Sequence, residues 1–223
     1  MDKASLGLRA ARHAALGDPM RLAIVDELAV SDRAPVELRR RIGIESNLLA
    51  HHLDVLEGVG LINRSRSSGD GRRRYVHLLC DVFDVVGSRP RVRARRALFV
   101  CTHNSARSQL AAALWREITD SPAASAGTHP ADRINPGAIS AARRAGLELE
   151  ATGPRALSAV KRIPDLVVTV CDQAHEQLDL PVHWLHWSVS DPVPVGTKAA
   201  FDATVTELRE RIRCVITNAG STA

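Results

Sequence analysis

The feature that most constrains this chain is the run ALFVC, followed at once by THNSARSQLAAALWRE, over residues 97–117. Five consecutive apolar residues without a turn former read as a strand buried on both faces, the kind found in parallel sheets covered by helices. The stretch after it, Ala106–Ile118, is amphipathic and reads as a helix. A buried strand that enters a helix through a short polar loop is the unit of an α/β fold. Leu166–Val170 and His183–Trp187 supply two more strand candidates, and Phe201–Val215 reads as a closing helix. Residues 97–223 are therefore expected to form a small parallel sheet wrapped by helices.

The loop inside that unit, Cys101-Thr102-His103-Asn104-Ser105-Ala106-Arg107-Ser108, has the residue types of a nucleophilic site. A cysteine between a strand end and a helix N-terminus has backbone N–H groups and a helix dipole aimed at it. In comparable settings these lower a thiol pKa to ~3.5–7.5, so a thiolate is expected at neutral pH. The N–H groups of Thr102, His103, Ser105 and Ala106 are placed to hold an oxyanion, and Arg107 to clamp two of its oxygens. Ser108 is positioned to donate to the sulfur, and Asn104 to hold the tight turn. A structural thiol is the plainer reading of any isolated buried cysteine; the strand-to-helix position favours the nucleophile. A leaving oxygen needs a proton donor, and Asp191, before Pro192 in HWSVSDPVPVG, is the candidate acid. Asp172 is the rival, beside a different strand.

The first part of the chain is of another kind. Residues 1–96 hold 18 Lys and Arg against 12 Asp and Glu, whereas residues 97–223 hold 12 against 13. The whole positive excess thus lies N-terminally, which suits a polyanionic partner. GSRPRVRARR, ending at Arg96, is the clear break in composition. It divides the chain into a domain over residues 1–88, a basic linker at 89–96 and a domain over 97–223.

Within the N-terminal domain Asp18 and Pro19 open a helix with an apolar face at Leu22, Ile24, Val25, Leu28 and Ala29. A shorter helix spans Pro35–Arg41, and a third, Ser46–Glu57, stops at Gly58–Gly60. His52 faces the apolar side of the third. Two strand-like runs then flank a turn at Ser67–Gly71, with Arg64, Arg66, Arg72, Arg73 and Arg74 around it. Helix, turn, helix and arginine-rich hairpin make a mainly-α winged helix-turn-helix. His77, Cys80 and Asp81 are close in sequence, but a loose trio at a strand end reads as structural, and no metal is expected.

HALGDPMRLAIVDELA followed by NLLAHHLDVLEGVGLINRSRSSGDGRRRYVHL resembles the winged-helix repressors of the ArsR type, over roughly residues 10–80. The resemblance implies a homodimer on double-stranded operator DNA. It places Ser46, Asn47, Ala50 and His51 at base edges and the hairpin arginines on phosphates. The cysteine pair that binds arsenite in many members would fall near Leu28–Leu38, where no cysteine stands, and Asp54 occupies a place often held by a basic residue.

The C-terminal part resembles the low-molecular-weight tyrosine phosphatases and their arsenate reductase branch, through VCTHNSARSQLAAALWRE, SAGTHP, GPRALS, VVTVCD and HWSVSDP. That resemblance implies a three-layer phosphatase-like sandwich with Cys101 as nucleophile, Arg107 as oxyanion clamp and Asp191 as general acid, acting on arsenate or phosphate. Val193-Pro194-Val195 follow the Asp-Pro pair and offer no aromatic ring for a tyrosine substrate. Cys171 stands where one reductase branch keeps its resolving thiol, while the third cysteine of that branch is Leu178 here. Two roles stay open for Cys171. It is either the thiol that closes a disulfide with Cys101, or a buried strand-end residue beside which mycothiol, glutathione or the thioredoxin system reduces the adduct. Cys214, among Ile212, Val215 and Ile216, reads as core.

The chain thus reads as a transcriptional regulator of arsenic resistance fused to an arsenate reductase. A regulator whose phosphatase-like domain only senses an oxyanion, and a tyrosine phosphatase with a DNA-binding anchor, are the other readings. Widely spaced cysteines exclude a disulfide scaffold, and no apolar run reaches the ~18 residues of a membrane span, so a cytoplasmic protein with no bound cofactor is expected.

Overall fold

Capping residues set the first elements of the computed structural model, which describes residues 3–79, 96–150, 152–178, 181 and 183–216. The chain divides into two compact units, Met1–Arg66 with Arg72–Pro90, and Ser67–Gly71 with Arg91–Ala223. Of the linker expected at 89–96, only Arg96 lies among the described residues.

The N-terminal unit begins with α1 (Lys3–Leu16), a helix that the sequence reading did not anticipate. In α2 (Pro19–Leu28) the Asp18 carboxylate accepts the N–H groups of Met20 and Arg21 at 2.9 and 3.0 Å. The Ala34 N–H donates to the Glu37 carboxylate (2.7 Å) at the start of α3 (Pro35–Ile42), and Gly43 ends it at φ 76°, a left-handed conformation suited to glycine. Then comes α4 (Ser46–Gly58). The antiparallel pair β1 (Ile62–Arg66) and β2 (Arg74–Leu78) runs from Ile62 opposite Leu78 to Arg66 opposite Arg74. The connection therefore takes residues 67–73, longer than the Ser67–Gly71 turn expected.

Ile24, Leu28, Leu38, Leu53, Leu56 and Leu61 form the centre of this unit's core. His52 is buried on the apolar side of α4, as its position in the sequence suggests. His77 is held by Asp32, with Nδ1 2.9 Å from Oδ2, and by Ser65, with Nε2 2.6 Å from the hydroxyl oxygen. Of the trio His77, Cys80 and Asp81, the last two lie outside the described residues. Among the described residues no group of three or more His, Cys, Asp or Glu side chains gathers to hold a metal ion.

The C-terminal unit is an α/β fold. Its strands are β3 (Ala97–Cys101), β4 (Ala123–Gly127), β5 (Leu166–Thr169) and β6 (Leu185–His186). Its helices are α5 (Arg107–Thr119), α6 (Pro136–Arg144), α7 (Asp172–Gln177), α8 (Pro192–Val195) and α9 (Lys198–Val215). The strands pair in parallel in the order β4-β3-β5-β6. On one face Phe99 packs against Trp115 of α5 and against Trp187, each with ring centroids 5.9 Å apart. On the other face Leu98, Val100, Ala126 and Val167 are covered by Trp184, Leu157, Val160 and Leu178.

Sequence reading missed β4, whose AASAG has no β-branched residue to mark it. It also missed α6, although Asn135 caps that helix by accepting the Gly137 N–H at 2.8 Å and Pro136 occupies its first turn. The strand expected at His183–Trp187 shrinks to two residues. Cys214, expected in the core, is only half-buried on α9. No helix among the described residues is long and apolar enough to cross a membrane.

This strand order positions the site. β3 has β4 on one side and β5 on the other. The connection after β3 runs outward to β4 and that after β5 outward to β6, so the two leave in opposite directions and open a crevice at the carboxyl ends of the two central strands. Val100 pairs with Thr169 there, which sets Cys101 opposite Val170 and one residue short of Cys171.

Candidate active site

Cys101 is the last residue of β3 and is buried. The loop after it is folded by hydrogen bonds that leave its carbonyls pointing outward. Thr128 N–H donates to Cys101 O (3.1 Å), His129 to Thr102 O (2.8 Å), Ala131 to His103 O (2.9 Å) and Asn135 to Ser105 O (2.9 Å). With those four carbonyls taken by the 128–135 segment, the N–H groups of the loop are left to its concave side, an anion-binding arrangement.

Gly127 makes that packing possible. A Cβ there would lie 2.7 Å from the Thr102 carbonyl oxygen and 3.0 Å from Asn104 Cβ. Sequence reasoning gave Gly127 no separate role, because a glycine required by close approach of two backbones leaves no local pattern.

Asn104 sits at φ 51°, a left-handed conformation that asparagine tolerates better than most residues. Its Oδ1 accepts the Arg155 N–H at 2.9 Å, and its Nδ2 donates to Ser108 Oγ at 2.8 Å. Ser108 Oγ in turn lies in hydrogen-bonding contact with Cys101 Sγ, 3.0 Å away. The Asn104 N–H also donates to that sulfur at 3.1 Å. Asn104, Ser108 and Cys101 are thus one hydrogen-bonded chain, anchored at its far end by Arg155, which sequence reading had not connected to the loop.

The expectation of a lowered thiol pKa is corrected. Burial pushes Cys101 above the ordinary thiol value, outweighing the pull of Arg107 and of the Ser108 hydroxyl toward the thiolate. The loop and dipole argument leaves out the desolvation of a sulfur closed off from water.

Arg107 opens α5 and is buried. Nη1 donates to Val189 O at 3.0 Å and Nη2 to Asp191 Oδ2 at 2.8 Å. The structure therefore brings Arg107 and Asp191 together. The other carboxylate oxygen of Asp191 accepts the Val193 N–H at 3.1 Å and caps α8. Asp172 lies elsewhere, with Oδ1 3.2 Å from Nε2 of the fully buried His186.

Among the other loop residues, Thr102 and Ala106 are buried, Ser105 is half-buried and His103 is exposed. Thr102 Oγ1 lies 3.2 Å from Cys171 Sγ and donates to Gln173 Oε1 at 3.3 Å. Cys171 is buried, and a charge on it would repel one on Cys101 and contributes to raising that thiol. Val193 and Val195 are exposed beyond Asp191.

In the N-terminal unit Ser46, Asn47, Ala50 and His51 are all exposed on α4. Ser46 Oγ accepts from Arg39 at 3.0 Å, and Asn47 Oδ1 from the Leu48 N–H at 2.9 Å. Arg66, Arg72, Arg73 and Arg74 are exposed on the hairpin. Arg64 differs: its guanidinium donates to Glu57 (Nε to Oε2, 2.9 Å) and to Asp54 (2.7 Å), and these hydrogen bonds raise its pKa further above the ordinary value. Asp54 and Arg64 thus neutralise each other.

Residues 96–220 match the family described as low molecular weight phosphotyrosine protein phosphatase. An arsenate reductase from Archaeoglobus fulgidus is 29% identical, with 52% of this chain and 95% of that chain covered and a TM-score of 0.46. The thioredoxin-dependent arsenate reductase of Corynebacterium glutamicum is 27% identical, with 60% and 64% covered and a TM-score of 0.44. The tyrosine phosphatase Wzb of Escherichia coli K30 is 23% identical, with 54% and 95% covered and a TM-score of 0.49. No curated protein matches the chain.

Proposed function

Since the chain belongs to the low molecular weight phosphotyrosine protein phosphatase family through residues 96–220, we propose that this unit is a thiol-dependent arsenate reductase. The observation that carries this reading is the second buried thiol, Cys171, held 3.2 Å from the hydroxyl of Thr102 in the nucleophile loop. An edge with Val193 and Val195 in place of rings favours a small inorganic oxyanion over a tyrosine side chain.

Arsenate enters the loop and replaces the Asp191 carboxylate as the partner of Arg107. Cys101, neutral in the free protein, gives its proton to the bound oxyanion and attacks arsenic. An As–O bond breaks, and Asp191, freed from Arg107 by the arsenate, passes a proton taken from solvent to the departing hydroxyl, which leaves as water. A second thiolate then attacks the Cys101 sulfur. The S–As bond breaks, its electron pair stays on arsenic, and arsenite leaves as a disulfide forms. Two thiols are oxidised and As(V) is reduced by two electrons. The second thiol is Cys171 or that of mycothiol, glutathione or thioredoxin. The test is arsenite production from arsenate with each donor, set against Cys101→Ser.

The N-terminal unit is proposed to be a winged helix-turn-helix that binds an operator as a homodimer and regulates arsenic resistance in the cytoplasm. The exposed polar start of α4 and the exposed arginines of the hairpin support this. In this reading α4 enters the major groove and the hairpin reaches phosphates. Arg64, committed to Asp54 and Glu57, takes a lesser share than its hairpin neighbours. Fluorescence anisotropy on promoter DNA, at two salt concentrations, tests it.

A further inference from the structure

A second concave site lies in the C-terminal unit, at the opposite end of β3 from Cys101. It is a cavity of about 290 Å³ formed by the starts of β3 and β4 and the 155–164 segment. Four residue steps of strand separate Ala97 from Cys101, roughly 13 Å, so the two sites are distinct.

The cavity joins two kinds of surface. Leu98, Ala124, Val160 and Pro164 supply apolar walls, while Arg96, Arg155, Lys161 and Arg162 bring four cations to its lining. None of its lining residues is acidic. Arg96, Lys161 and Arg162 are exposed at its rim, and Arg155 is half-buried. Arg155 pairs with Glu150 at 3.9 Å. Arg155 is also a fixed wall, because its Nε donates to Ser125 O at 2.7 Å and its N–H to Asn104 Oδ1 at 2.9 Å.

Like charges gathered around one cavity repel one another, and an anion in their midst relieves that repulsion. Guanidinium forks match phosphate and carboxylate oxygens, and the apolar walls favour a ring over a bare inorganic ion. We propose that this cavity binds a small phosphomonoester carrying one ring, at a site separate from the Cys101 loop.

Phenylphosphonate, a ring bearing a dianion that cannot be hydrolysed, is the probe. Calorimetric titration uses the full chain carrying Arg107→Ala, which removes the oxyanion clamp at Cys101, with and without Lys161→Ala and Arg162→Ala added. Saturable binding near one per chain in the first, weakened at least tenfold in the second, is expected. Methylphosphonate, which lacks the ring, should bind at least fivefold more weakly than phenylphosphonate. On the unsubstituted chain the amide resonances of Leu98, Ala124 and Val160 should shift to saturation, which keeps the test independent of whether Arg107→Ala folds. Absence of saturable binding at millimolar probe, equal affinity with and without the two cations, or equal affinity for the two phosphonates would overturn the proposal.

Discussion

Replacing Asn104 by alanine tests whether the nucleophile loop is held by the asparagine chain described above. Asn104 is fully buried, stands at φ 51°, and bonds Arg155 N–H, Ser108 Oγ and Cys101 Sγ. Alanine in a left-handed conformation costs roughly 1 kcal/mol. The Arg155 N–H loses its acceptor, which costs about 1–3 kcal/mol in a site closed to water. The sum is a loss of roughly 2–4 kcal/mol from the C-terminal unit. With a urea slope of about 2 kcal/mol per molar, the unfolding midpoint falls by about 1–2 M. All three tryptophans, Trp115, Trp184 and Trp187, belong to this unit, so their fluorescence reports its unfolding alone. Asn104→Gly separates the two contributions: it removes the backbone strain but not the lost acceptor, and should recover about 1 kcal/mol relative to alanine. A midpoint for Asn104→Ala within error of the parent, or a glycine variant less stable than the alanine one, would refute the reasoning.

Three further outcomes are expected. Because burial holds Cys101 above the ordinary thiol value, the free protein is protonated there at pH 7. Iodoacetamide alkylation followed by mass spectrometry should then be slow and rise about tenfold per pH unit up to the shifted pKa; a rate flat between pH 6 and 9 would contradict this. Gly127→Ala drives a Cβ to 2.7 Å from the Thr102 carbonyl. It should cost about 1–3 kcal/mol by overpacking and displace the loop, so that activity falls more than stability predicts; a fully active variant would count against the packing described. Replacing Arg72, Arg73 and Arg74 together with alanine should weaken DNA binding on every sequence and flatten the salt dependence by up to about three contacts; unchanged affinity would remove the hairpin from the interface.

The loop from Cys101 to Ser108 was legible as a strand-to-helix connection because it is contiguous: residue type and spacing within one turn suffice to mark it. Asp18, Pro19 and Gly43 marked helix boundaries for the same local reason. What escaped was set by distant partners. The backbone N–H of Arg155 orients Asn104, and Val189 O receives Arg107, across separations that no periodicity reports. AASAG became β4 because β3 pairs with it residue for residue, and its own propensity does not suggest a strand. The thiol shift was misjudged because burial is a property of the finished unit. Arg64 was grouped with the other hairpin arginines because sequence alone does not show Glu57 and Asp54 within its reach.

The most direct test of the central claim is the arsenite formed when the pure protein is given arsenate and, in turn, mycothiol, glutathione and a thioredoxin system. The account predicts arsenite from the parent, none from Cys101→Ser, and a change of preferred donor or rate in Cys171→Ser. Absence of arsenite with every donor, from a protein whose loop still binds the oxyanion, would contradict it.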